Sequence, residues 1–113
     1  MTKGKIVLVP FPFDNLSASK VRPAVCLTHP IGPHRHVVLG FITSQILASL
    51  LTSDLVLDSQ HPDFSATGLR VPSVLRLHRL MTVPTSIILR ELGTLSADLQ
   101  QQVNQKIKVP FNL

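Results

Sequence analysis

Residues Ile6–Leu27 read IVLVPFPFDNLSASKVRPAVCL, and this stretch decides the fold. Its first part, Ile6–Val9, is a short apolar run rich in β-branched residues, and its last, Val21–Leu27, is another. Both suit strands, because β-branched side chains pack well on a pleated surface. Between them, Pro10, Pro12, Asp14, Asn15, Ser17 and Ser19 oppose regular structure. Proline has no N–H for a ladder, and Asn, Asp and Ser bond to the local backbone. The pattern predicts two strands flanking a loop of about a dozen residues, longer than a compact domain keeps without a use for it. That loop ends in Lys20-Val21-Arg22-Pro23, two cations at the entrance to a buried strand. Pro23 holds Arg22 extended and so fixes where its guanidinium points.

Outward from this stretch the chain continues as short strands. Pro23–Thr28 and His36–Ile42 form a hairpin through the turn-rich His29-Pro30-Ile31-Gly32-Pro33-His34-Arg35. Thr43–Thr52 carries Ile46, Leu47, Leu50 and Leu51 at helical spacing but has no strong cap, and reads as an irregular or one-to-two-turn helical excursion. Asp54–Asp58 is a fourth strand and Ser59–Gly68 a polar loop. Val71–Leu77, Leu80–Val83 and Ile87–Leu92 are further strands, with Gly93 breaking the pattern. Ser96 then fits an N-cap, Asp98 sits where a helix start favours negative charge, and Leu99, Val103 and Ile107 form one apolar face. Lys106 and Lys108 suit the other end of that helix, and Pro110 stops it. The expectation is one mainly β (α+β) domain over residues 1–113, a small, strongly bent barrel with a C-terminal helix.

Composition bounds the function. The 113 residues are 44% hydrophobic, which suits a folded domain with one core rather than disorder. Tyr and Trp are absent, so Val, Ile, Leu and five Phe must fill that core. A formal charge of +5 favours an anionic partner: nucleic acid, an acidic protein or an anionic surface. Cys26 is the only cysteine, which excludes an internal disulfide and suggests a buried, inert thiol. The start M-T-K-G-K runs directly into a strand without a leader pattern. Val37–Leu51 is too short and too polar to cross a bilayer. These features predict a cytoplasmic protein that does not enter membranes. Three histidines, His29, His34 and His36, crowd the hairpin tip, but the one cysteine is interior to a strand and two prolines stiffen the spacing. We read a solvated loop there, with no metal and no cofactor.

Several pieces occur in an informative order. Lys3-Gly4-Lys5-Ile6 leads to Arg22-Pro23-Ala24-Val25, then Phe41-Ile42-Thr43-Ser44, Gly68-Leu69, Ser73-Val74-Leu75-Arg76 and Leu92-Gly93-Thr94-Leu95-Ser96 before the last helix. In that order the chain resembles the MazF/PemK-type toxins of toxin–antitoxin pairs. The resemblance implies an SH3-like β-barrel of the MazF/PemK/CcdB type. It also implies a metal-independent mRNA interferase, an endoribonuclease that cleaves single-stranded RNA to a 2′,3′-cyclic phosphate and a 5′-hydroxyl. The partners it implies are RNA, a cognate acidic antitoxin whose tail blocks the RNA groove, and a second copy of the chain in a homodimer. The alternative is a catalytically silent SH3-like module, either a degenerate toxin or a CcdB-like poison of a protein target such as DNA gyrase.

Cleaving RNA without a metal needs a base for the 2′-hydroxyl, an acid for the departing 5′-oxygen and a cation for the phosphorane charge. Arginine suits the last role because its fork matches phosphate oxygens and it stays charged. By resemblance, Arg22 takes that role and the Thr43-Ser44 pair supplies a catalytic hydroxyl; residues alone would read the pair as a strand-end cap. Period-two geometry puts Arg76 and His78 on one face, opposite Leu75 and Leu77. Some family members carry R-x-D here, so His78 is a departure. Its imidazole either serves as acid or base or packs on a barrel face. Ser17-Ala18-Ser19 is another departure, standing where some members have a carboxylate, with Asp14 the only acid in the loop. The candidate catalytic set is Arg22, Thr43, Arg76 and His78. Lys20, Ser19, Ser44, Phe13 and Arg79 are candidate RNA contacts. Phe11 and Phe13 either stack on bases or close one end of the core.

Overall fold

Alternate residues of the first strand serve two different apolar clusters, and this sets the architecture. Strand β1 (Lys5–Phe11) sends Ile6 to one cluster and Val7 and Val9 to the other. Strand β2 (Lys20–Cys26) divides in the same way, Val25 to the first and Ala24 and Cys26 to the second. With β3 (His36–Thr43), β4 (Asp54–Leu57), β5 (Ser73–Pro84) and β6 (Arg90–Thr94) they form an antiparallel sheet in the order β4-β5-β3-β2-β1-β6. The sheet is curled into a half-barrel, and a single C-terminal helix, α1 (Ala97–Lys106), lies against its first cluster. This computed structural model describes residues 2–11, 20–45 and 48–113, with Phe11 through its backbone only.

Strand pairing reaches further into the opening loop than the prolines suggest. Pro10 pairs with Val21 and Phe11 with Lys20, which leaves residues 12–19 between the strands and outside the described residues. Pro10 is tolerated because the β1–β6 ladder stops at Leu8, so the missing N–H breaks no bond on that side. Pro23 is tolerated for the same reason, since the β2–β3 ladder begins at Ala24.

Two sequence expectations are corrected at β5 and β6. Val71–Leu77 and Leu80–Val83 are not separate strands but one continuous β5, interrupted by a register shift. The strand expected at Ile87–Leu92 starts later, at Arg90, because Thr85–Ile87 turns as a short 3-10 helix. Gly93 does not end it either. A Cβ there would lie 2.3 Å from the Ala66 carbonyl oxygen, and one on Gly68 would lie 2.1 Å from that of Leu92. Glycine at both positions lets the 65–68 turn lie directly on the β6 backbone. In Thr43–Thr52 no described residue is helical.

Helix α1 follows its expected cap. Ser96 Oγ accepts from Leu99 N at 3.2 Å, and Leu99 and Val103 are buried against Ile6, Leu55, Leu57 and Leu95. Each such side chain contributes about 1.5–3 kcal/mol on burial, far more than helix propensity supplies. The helix ends at Lys106, before Pro110. Near its start, Asp98 Oδ2 meets His61 Nε2 at 2.9 Å, tying the 58–64 loop to the first turn. No helix among the described residues is long and apolar enough to cross a membrane.

Candidate active site

The register of three strands brings distant residues to one face. Phe41 stands opposite Ala24 on one side and Arg76 on the other, and Arg76 in turn opposite Asp54. Extending the β2–β3 register by two residues sets Arg22 across from Thr43. All of these lie on the face of the sheet that carries the second apolar cluster, as the alternation of Ala24, Cys26, Val37 and Leu39 dictates.

Arg79 joins them through an irregularity. Between β3 and β5 the pairing passes from Gly40–Leu80 directly to Phe41–Arg76, leaving Leu77, His78 and Arg79 unmatched. The phase of β5 reverses there: Leu75 and Leu77 belong to the first cluster, Met81 and Val83 to the second. Strict alternation would separate Arg76 from Arg79. The shift instead puts both on one face, and with Arg22, Phe41, Ile42, Thr43, Ser44 and Gln45 they line a pocket of about 240 Å³. A smaller, mostly apolar groove continues beyond Ser44 and Gln45 to Leu50, Val56, Pro72 and Val74.

The three arginines differ in their company. Arg22 and Arg79 are exposed. Arg76 is held by a buried carboxylate, its Nε 3.0 Å from Asp54 Oδ1 and its Nη2 3.1 Å from Oδ2. Asp54 also accepts from Leu51 N at 2.8 Å. Burial alone would raise the Asp54 pKa. The hydrogen bonds from Arg76 and Leu51, with the charges of Arg76 and His78, outweigh it and hold the carboxyl below its ordinary value. Thr43 Oγ1 accepts from Gln45 N at 3.1 Å, which leaves its own proton to donate. Three guanidinium groups and the hydroxyls of Thr43 and Ser44 thus line one pocket, a donor set whose chemistry suits an anion.

Residues 2–111 match the sequence profile of the PemK-like, MazF-like toxin of type II toxin-antitoxin system. The chain belongs to the PemK/MazF toxin family. Solved structures of the same fold include the Mycobacterium tuberculosis toxin MazF-mt6, with 23% identity, a TM-score of 0.69, and coverage of 95% of this chain and 97% of that one. A MazE–MazF complex from Deinococcus radiodurans gives 16% identity and a TM-score of 0.74 over 100% and 96%. An endoribonuclease in complex with its cognate antitoxin, from a mycobacterial species, gives 10% and 0.72 over 100% and 96%. No curated protein shows significant sequence similarity to the chain.

On this PemK/MazF scaffold, five of the residues singled out by sequence line one pocket: Arg22, Thr43, Ser44, Arg76 and Arg79. His78 is exposed on β5 and is not among the lining residues, although its charge reaches Asp54. Lys20 is exposed at the start of β2 and is not among the lining residues. Ser19 and Phe13 lie outside the described residues. Burial pushes the Cys26 thiol up to about 11, so it is no nucleophile at neutral pH. Among the described residues no cluster of His, Cys, Asp and Glu could hold a metal ion. Sequence reading missed Asp54, which it treated only as the start of a strand. Its one signal was a carboxylate opening an otherwise apolar four-residue strand.

Proposed function

We propose that the chain is an endoribonuclease acting on single-stranded RNA, the toxin of a toxin–antitoxin pair. The observation that carries this reading is the convergence of Arg22, Thr43, Arg76 and Arg79 on one pocket. In the reaction, the 2′-oxygen attacks the adjacent phosphorus as the P–O5′ bond breaks. The 2′ proton leaves to a base, and the 5′-oxygen takes up a proton. Negative charge grows on the non-bridging oxygens, where Arg22 and Arg79 neutralise it and Thr43 donates a hydrogen bond. Arginine keeps its proton throughout, so proton transfer falls to another group. We assign it to His78, the exposed residue that precedes Arg79 on β5.

No step of this route calls for a metal ion. The family context and the basic pocket support an acidic antitoxin segment as inhibitor, since it would occupy the arginines that RNA needs. Purified protein incubated with a long single-stranded RNA in EDTA should yield fragments ending in 2′,3′-cyclic phosphate with 5′-hydroxyl partners. Intact RNA, or cleavage that appears only when a divalent metal is added, would overturn the reading.

A further inference from the structure

Asp54 is the one fully buried carboxylate side chain in contact with a pocket residue among those described. Its partner Arg76 keeps 20% of its side chain exposed, on the pocket side of the pair. The contact engages Nε and one hydrogen of Nη2. A guanidinium has five N–H bonds, so three remain, all on Nη1 and Nη2. Because Arg76 lines the pocket, these are the hydrogens that a ligand meets. A side-on pair of this kind fixes the plane of the guanidinium as well as its position.

We infer that Asp54 is the positioning residue of the pocket, holding Arg76 so that its free Nη edge is presented to a phosphodiester of bound RNA. The inference rests on the reading of the pocket as an RNA site. Asp54 is badly placed to act as the base itself. Its side chain is fully buried and its oxygens are already engaged by three N–H donors, from Arg76 and Leu51. It also has an electrostatic cost that a positioning role explains. One carboxylate offsets one of three arginines, so the pocket attracts RNA less strongly than it would without Asp54.

That cost gives the test a distinctive sign. Removing the carboxylate leaves a pocket with one more unit of positive charge but a free-swinging arginine. Asp54→Asn should therefore bind a non-cleavable, 2′-deoxy-substituted oligonucleotide as tightly as the parent or more so, with a steeper salt dependence. Its single-turnover cleavage of the 2′-hydroxyl version should fall about 100-fold, the scale of a misplaced catalytic contact. Asp54→Glu keeps the charge but pushes the fork forward by a methylene; its binding should match the parent while cleavage falls about tenfold. This variant decides the matter if Asp54→Asn does not fold. Unchanged cleavage in the folded variants, or parallel loss of binding and cleavage, would overturn the inference. If the parent cleaves no RNA, the nuclease reading fails by itself. Oligonucleotide binding then still decides: coupling of about fivefold between Asp54→Asn and Arg76→Ala supports positioning, and additive effects overturn it.

Discussion

Arg22 was legible because its neighbours constrain it: a proline directly after it, a buried strand beyond, a long loop before. The structure keeps it exposed, so it contributes little to folding and can be replaced without unfolding the chain. Arg22→Ala should therefore abolish cleavage with an unchanged melting temperature. Arg22→Lys should recover little, because an ammonium cannot engage two phosphate oxygens as a fork. Equal rates for the lysine variant and the parent would reduce Arg22 to a simple attractor of RNA. His78→Asn should slow single-turnover cleavage about 100-fold, as loss of a general acid or base does, and flatten its pH profile. An unchanged profile would remove His78 from the mechanism. Asp54 escaped the sequence reading because its meaning lies in a partner 22 residues away, and cross-strand register is not written in either segment alone. Its lowered pKa makes a prediction of its own. A carboxyl whose folded pKa is depressed stabilises the protein fully above its unfolded value, near pH 4, and loses that contribution as pH falls through the folded value. Melting temperature should drop below about pH 4, and the drop should shrink in Asp54→Asn.

Among the elements, β1, β2 and α1 follow directly from their residues: β-branched alternation for the strands, Ser96 and the four-residue apolar steps for the helix. The strand β5 does not. Its apolar residues stop at Leu77 and resume at Leu80, and the polar pair His78-Arg79 between them looks like the end of one strand and the start of another. In the structure the strand continues and only the phase changes, which is how Arg79 comes to share the pocket with Arg76. Bulges often re-aim a side chain in this way beside functional sites. Gly93 misleads for a related reason. A glycine inside a strand reads as an interruption, but this one admits a second backbone at close range. Gly93→Ala should destabilise the fold by about 2 kcal/mol or more, since the new methyl meets backbone that cannot turn aside as a side chain would. A denaturation midpoint equal to the parent's would show that the 65–68 turn can lift off β6 at no cost.

At the scale of the molecule, the two edges of the sheet are treated differently. The β6 edge is closed by the turn seated on Gly93, with Lys5 and Glu91 3.5 Å apart alongside. Among the described residues no strand lies beyond the β4 edge. Around it Leu50, Leu51, Val56 and Val71 are each at least 41% exposed, and the apolar groove runs between two of them. Edge strands are usually blunted by shortness, charge or proline; β4 is short, at four residues, but the side chain it exposes is a valine. A mean hydropathy of +0.31 is high for a small basic chain, and a symmetric pair is the commonest way to cover such a patch. The chain should therefore be a homodimer joined along the β4 edge. That arrangement would set two pockets near a shared seam, because the groove and the pocket have Ser44 and Gln45 in common. Sedimentation at micromolar concentration and moderate salt should give twice the 12.4 kDa chain mass. In such a dimer Val56→Lys would set like charges against each other at the seam, and it should leave the folded chain intact because that side chain is already exposed. It should sediment as a folded monomer and cleave RNA more slowly than the parent. A parent that sediments as a monomer would refute the dimer. A dimer untouched by Val56→Lys would move its interface away from β4.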